Sequence, residues 1–105
     1  MGATVLDVAN EYRARISALP LASASFLYHY PRNTIIFTTF FDRRNREAED
    51  TLAKIETYMV DAFSEFNFDF CTIHLMGRNV EEFLPLGAIP LRPSQKSAQH
   101  RADAH

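Results

Sequence analysis

The sequence has no tryptophan, three glycines and one cysteine in 105 residues. A lone cysteine cannot form an internal disulfide, so packing alone must hold the fold, and the expected compartment is the reducing cytoplasm. A chain of this length can manage as one domain, because folding removes roughly 65% of its unfolded surface from water. Gly2, Gly77 and Gly87 are too scattered for a phosphate-cradling loop, which excludes nucleotide hydrolysis of that type. Ser17, Ser23, Ser25 and Ser64 lack the flanking glycines of a nucleophile elbow. No stretch approaches the roughly 20 apolar residues of a membrane span, and no basic region followed by an apolar run opens the chain, so neither a span nor a secretory leader is expected. With a net charge of −2 and a pI near 6.0, the chain has no basic excess to gather phosphate backbones, and nucleic acid is not an expected partner.

Aromatic and aliphatic residues are what the sequence has in quantity. Nine Phe and four Tyr within a 47% apolar composition imply a tight core, a self-association surface, or both. From Thr4 to Leu19 the apolar positions Val5, Val8, Ala9, Tyr12, Ile16 and Leu19 stack along one side of a helix that Pro20 stops. "ASASFLYHY" and "NTIIFTTFF" read as strands, and "YPRN" between them suits a type I turn with Pro31 at its second position. The second of these strands is apolar on both faces, through Ile35, Phe37 and Phe41 on one and Ile36 and Phe40 on the other, as an interior strand requires.

Asp42 can cap a following helix over "RRNREAEDTLAKIETYMVDAFSEF", whose residues Ala48, Leu52, Ile55, Met59, Ala62, Phe63 and Phe66 share one stripe. "NFDFCTIHLM" then reads as a third strand. A strand, a long helix and another strand place the second and third strands parallel and close together. In "GRNVEEFLPLGAIPLRP" one helical turn fits at "VEEF" before the prolines force an extended path. The fold expected is α+β in the order helix, strand, strand, helix, strand: a small mixed sheet with helices packed on it. Residues 1–91 form the single domain, and residues 92–105, without a hydrophobic period, form a disordered tail. The element order is similar to that of small RNA-binding folds such as the type II KH domain. However, the Gly-x-x-Gly loop that clamps a backbone there is missing. The glycine-serine motif and paired aspartates of a nucleotidyltransferase core are missing as well.

Catalytic chemistry finds little footing. Cys71 and His74 are three residues apart in a strand, so their side chains point to opposite faces and cannot form a nucleophile–base pair. The apolar phase slips between Phe66, Phe68, Phe70 and Cys71, Ile73, Leu75, a shift that suggests a bulge before Cys71. Cys71 itself reads as a buried small hydrophobe. His29 and His74 both lie in strands and could face one another across the sheet. The histidines and the cysteine lack metal-ligand spacing, so no metal and no cofactor are expected.

Two features are left over. "FLPLGAIPL" sets Phe83, Leu84, Leu86, Ile89 and Leu91 in a segment that prolines keep out of regular ladders, so it must dock on its own sheet or on a second subunit. A three-stranded sheet also has two edges to protect, and pairing across a two-fold axis is a common remedy. Second, Arg43, Arg44 and Arg46 start the second helix, where the helix dipole favours acids. The crossover brings them toward Arg78 and Asn79. The leading expectation is a non-catalytic interaction domain that forms a homodimer. The alternative is a module or weak enzyme holding an anionic ligand on Arg43, Arg44, Arg46, Arg78 and Asn79.

Overall fold

Helix α1, Val5–Ile16, begins where Thr4 accepts a hydrogen bond from the Asp7 N–H and the Asp7 carboxylate returns to the Thr4 N–H, a reciprocal cap. Its one-sided spacing buries Val8, Ala9, Tyr12 and Ile16. The computed structural model describes residues 2–92, with the side chain of Arg92 left out; the expected tail lies beyond them, apart from its first residue.

Strands β1, Ser23–His29, and β2, Thr34–Phe41, form an antiparallel hairpin in which Phe26 opposes Phe37 and Tyr28 opposes Ile35. The link between them is the turn expected over Tyr30–Asn33, with Pro31 second and the Asn33 N–H donating to the Tyr30 carbonyl at 3.0 Å; it forms a 3₁₀ turn, Tyr30–Arg32, that closes on Asn33 in the left-handed region (φ 49°). Asn33 is held there on both sides: its Oδ1 accepts from the Tyr28 hydroxyl and its Nδ2 donates to the Glu65 carbonyl.

Helix α2, Arg46–Ala62, starts three residues later than expected because Asn45, and not Asp42, caps it, accepting from the Ala48 N–H at 3.0 Å. Asp42 is engaged elsewhere, its carbonyl accepting from Met76 N–H and its carboxylate from Gly77 N–H. The buried stripe is Ala48, Leu52 and Met59, with Ile55 and Phe63 partly covered and Ala62 exposed.

Strand β3, Asn67–His74, lies parallel to β2 as expected, in unbroken register from Thr34–Asn67 to Phe41–His74. A fourth strand, β4, Ile89–Arg92, pairs antiparallel with the other side of β1, giving the order β3-β2-β1-β4. The prolines of "FLPLGAIPL" therefore do not keep that segment out of the sheet. Pro90 is tolerated because β4 lies outside β1 in the sheet order, where a missing donor need cost no ladder bond.

Both faces of β2 are covered. On the helix side a core joins Tyr12, Ile16, Leu52 and Met59 to Phe26, Ile35, Phe37, Phe41 and Leu91. Tyr12 stacks on Phe37 with ring centroids 4.0 Å apart, and Phe68 and Phe70 stack on Phe37 from β3. On the opposite face Phe40, Leu75 and Val80 form a second cluster, with Ile73 and Phe83 packed against it. The 3₁₀ turn Val80–Glu82, at the place expected for a helical turn, supplies this cover. These two layers explain the apolar phase in β3 without a bulge: Phe68 and Phe70 face the helices, and Ile73 faces the second cluster.

The Tyr12 hydroxyl is buried in the first core and finds no hydrogen-bond partner among the described residues. Burial, with a smaller contribution from Glu56, pushes its phenol well above the ordinary range. Removing an orphaned polar atom while keeping the ring should therefore be harmless. Tyr12→Phe should leave stability unchanged or raise it by about 1 kcal/mol. Phe37→Ala should lose about 3–5 kcal/mol. Urea unfolding midpoints read both.

Candidate functional site

Polar side chains gather at three places, the first of them the arginine-rich end of the sheet. Hydrogen bonds from Met76 and Gly77 to Asp42 bring the turn after β3 against the end of β2, so Arg43 and Arg78 lie at the same end of the sheet. Their side chains do not form one wall. Arg43, Arg44, Arg46, Arg78 and Asn79 are all exposed; Arg43 lies 3.9 Å from the Asp42 carboxylate, and Arg78 lies 5.8 Å from the Phe83 ring. Asn79 caps the 3₁₀ turn, its N–H donating to the Glu82 carboxylate. Arg43 does not pair with Glu47, nor Arg46 with Asp50, among the described residues.

A carboxylate of the chain itself occupies the start of α2. Glu49 Oε2 accepts from the Asn45 N–H at 2.8 Å and lies 3.0 Å from His74 Nε2. The Asn45 hydrogen bond, then His74, hold the Glu49 carboxyl below the usual range, with a smaller contribution from Arg44. His74 also stacks on Phe41, so the pair ties α2 to the end of β3. Such a latch orients an imidazole, yet no nucleophile partners it through Cys71, whose side chain leaves from the other face.

The second place is the face of the sheet away from the helices. His29, Arg32, Thr34, Ile36 and Asp69 line a broad, open concavity of about 390 Å³. Its charges are mixed and it lies near the hairpin end, far along the sheet from the Glu49–His74 latch. His29 and His74 thus occupy opposite faces and opposite ends and do not meet. Among the described residues no cluster of three His, Cys, Asp or Glu side chains could hold a metal ion.

No family model matches this chain. No curated protein matches its sequence either.

The third place is β3. Cys71 is exposed, contrary to the buried position expected, because β3 is an edge strand and none of the described residues covers its open face at that level. Desolvation and then Asp69 push its thiol above the ordinary value, which leaves it protonated and a poor nucleophile at neutral pH. The more informative feature is the strand's outer edge, which has no partner strand among the described residues. Sequence reasoning counted edges but could not say which one stays bare, since that depends on where β4 pairs. Among the described residues no helix is long and apolar enough to cross a membrane.

The Glu49 latch has a pH signature. A carboxyl depressed in the folded state stabilises it above the unfolded value, about 4.3, and that stabilisation is lost as pH falls through the folded value. Glu49→Gln should therefore be less stable than the parent at neutral pH, and the two should converge in acid. Urea midpoints at neutral pH and well below the glutamate range measure this.

Proposed function

We propose that this chain is a non-catalytic interaction domain that self-associates as a homodimer through an open sheet edge. The observation that carries the reading is β3: eight residues at the border of the sheet, in unbroken register, with no proline, glycine or lysine along them. Proteins usually protect such edges with charges, prolines, bulges or a covering element. Here Asp69 is the single charged side chain in the strand. A bare, regular edge is a template for another strand, and closed two-fold pairing removes two edges at once.

Other features support the same reading. The polar groups suited to chemistry lie apart, with the Glu49–His74 pair on the helix face and Cys71 on the other. An anion site at the start of α2 would compete with the Glu49 carboxylate already bonded there. Large apolar side chains stand in solvent, including Leu86 at 99% exposure and Met76 at 69%, so the isolated chain leaves apolar surface unburied. An exposed, unpaired thiol fits a reducing compartment, and we place the domain in the cytoplasm.

Sedimentation equilibrium tests the proposal. At micromolar concentration the mass should be twice the 12.0 kDa of the chain. A single 12.0 kDa species up to the highest soluble concentration would remove the reading.

A further inference from the structure

Which groups of β3 face outward follows from its hydrogen bonds. At one end the Asn67 N–H donates to the Asn33 carbonyl at 3.0 Å, and just past the other end the Leu75 N–H donates to the Phe41 carbonyl at 2.8 Å. The register between them is continuous, so the odd-numbered residues of β3 direct their backbone groups to β2. The N–H and C=O groups of Phe68, Phe70, Thr72 and His74 consequently point away from the sheet.

We infer, building on the self-association proposed above, that a second copy of β3 docks antiparallel on this edge, with the two-fold axis passing beside Cys71. A two-fold axis perpendicular to the sheet keeps both helix layers on the same side. Residues directly opposite must then share a face, so the axis falls at a residue and not between two. Centred at Cys71, Phe68 opposes His74 and Phe70 opposes Thr72, and all four outward-facing residues of the strand are paired. Moving the centre to Phe70 sets His74 against Phe66, and moving it to Thr72 sets Phe68 against Met76; both mates lie outside the strand. Centring at Asp69 opposes two carboxylates.

Charge and apolar surface favour a second copy as the occupant. In the Cys71 register Asp69 faces Ile73, so no like charges meet across the pair. On the helix side the rings of Phe68 and Phe70 are only partly covered. Val60 follows Glu49 by eleven residues, three helical turns, and so lies on the flank of α2 that touches β3; it is 46% exposed. Two copies of this flank, brought together by the axis, would cover one another.

The register makes Cys71 its own mate in a pair without direct hydrogen bonds. Alpha carbons in such a pair are about 4.5 Å apart, within the window of about 4.4–6.8 Å that a disulfide needs. Diamide therefore serves as a probe: two thiols lose two protons and two electrons to the diazene, and one S–S bond forms between chains. The full chain at dimer-forming concentration should give a covalent dimer rapidly, and more slowly in urea. Asp69→Cys in a Cys71→Ser background provides the register control, because residue 69 faces residue 73 and should cross-link far more slowly. Thr72→Pro removes an outward N–H without touching the β2 ladder, and should weaken dimerisation about tenfold or more.

A dimer that cross-links slowly through Cys71, or as fast through residue 69, overturns this register. If that dimer also ignores Thr72→Pro but dissociates on Leu86→Ser with Ile89→Ser, self-association stands and the β3 interface is wrong. A chain that stays monomeric in sedimentation overturns both, and if that monomer binds an extended peptide of another protein, the edge has a different occupant. Should Thr72→Pro fail to fold, the cross-linking contrast between positions 71 and 69 decides alone.

Discussion

The ring of Phe37 lies at the centre of the molecule, stacked under Tyr12 and flanked by Phe26, Phe68 and Phe70. It sits in a strand whose two faces are both apolar, and burying one face of such a strand leaves the other in water. The rest of the architecture answers that constraint. Helices α1 and α2 cover Ile35, Phe37 and Phe41, while the chain after β3 turns back through Val80 and Phe83 to cover Phe40. Strands β1 and β3 occupy the two edges of β2, so its backbone is satisfied on both sides.

Coverage of β2 is achieved at the expense of β3. A parallel neighbour must come from a crossover, and α2 supplies it, anchored at its start by Asn45 and by the Glu49–His74 pair. The chain then leaves β3 through Gly77, at φ 89°, toward the opposite side of the sheet, where β4 protects β1. No segment among the described residues returns to shield β3. The border of β3 is therefore a row of main-chain donors and acceptors, the row that the proposed self-association would use, while the polar side chains form isolated pairs and an open, mixed-charge concavity. Recognition of this kind selects for strand geometry and register first, and for side chains second.

Elements with strong local signals were legible in the sequence. The periodicity of α2, the two apolar faces of β2 and the crossover between β2 and β3 predict the α+β class and the parallel pairing that the structure has. Signals that depend on distant partners were not. "AIPLR" gives no strand pattern because half of its pairing surface is the backbone of β1 and Pro90 obscures the rest. The change of apolar phase at Cys71 resembles a bulge only if one covering layer is assumed; with layers on both faces of the sheet, regular alternation produces it. Cys71 reads as core by residue type, yet its exposure is decided by strand order, and the choice between Asp42 and Asn45 as helix cap is decided by the Gly77 turn, which competes for Asp42.

In the proposed dimer, alternate residues of β3 hold the outward hydrogen-bonding groups and a second copy takes them up. Amide hydrogen exchange resolved by residue, followed across a dilution series, addresses this directly. The N–H groups of Cys71 and Ile73, directed to β2, should stay protected at every concentration. Those of Phe68, Phe70, Thr72 and His74 should exchange fast in dilute solution and gain protection together as concentration rises. Protection that is equal along the strand, or that does not change with concentration, would contradict the account.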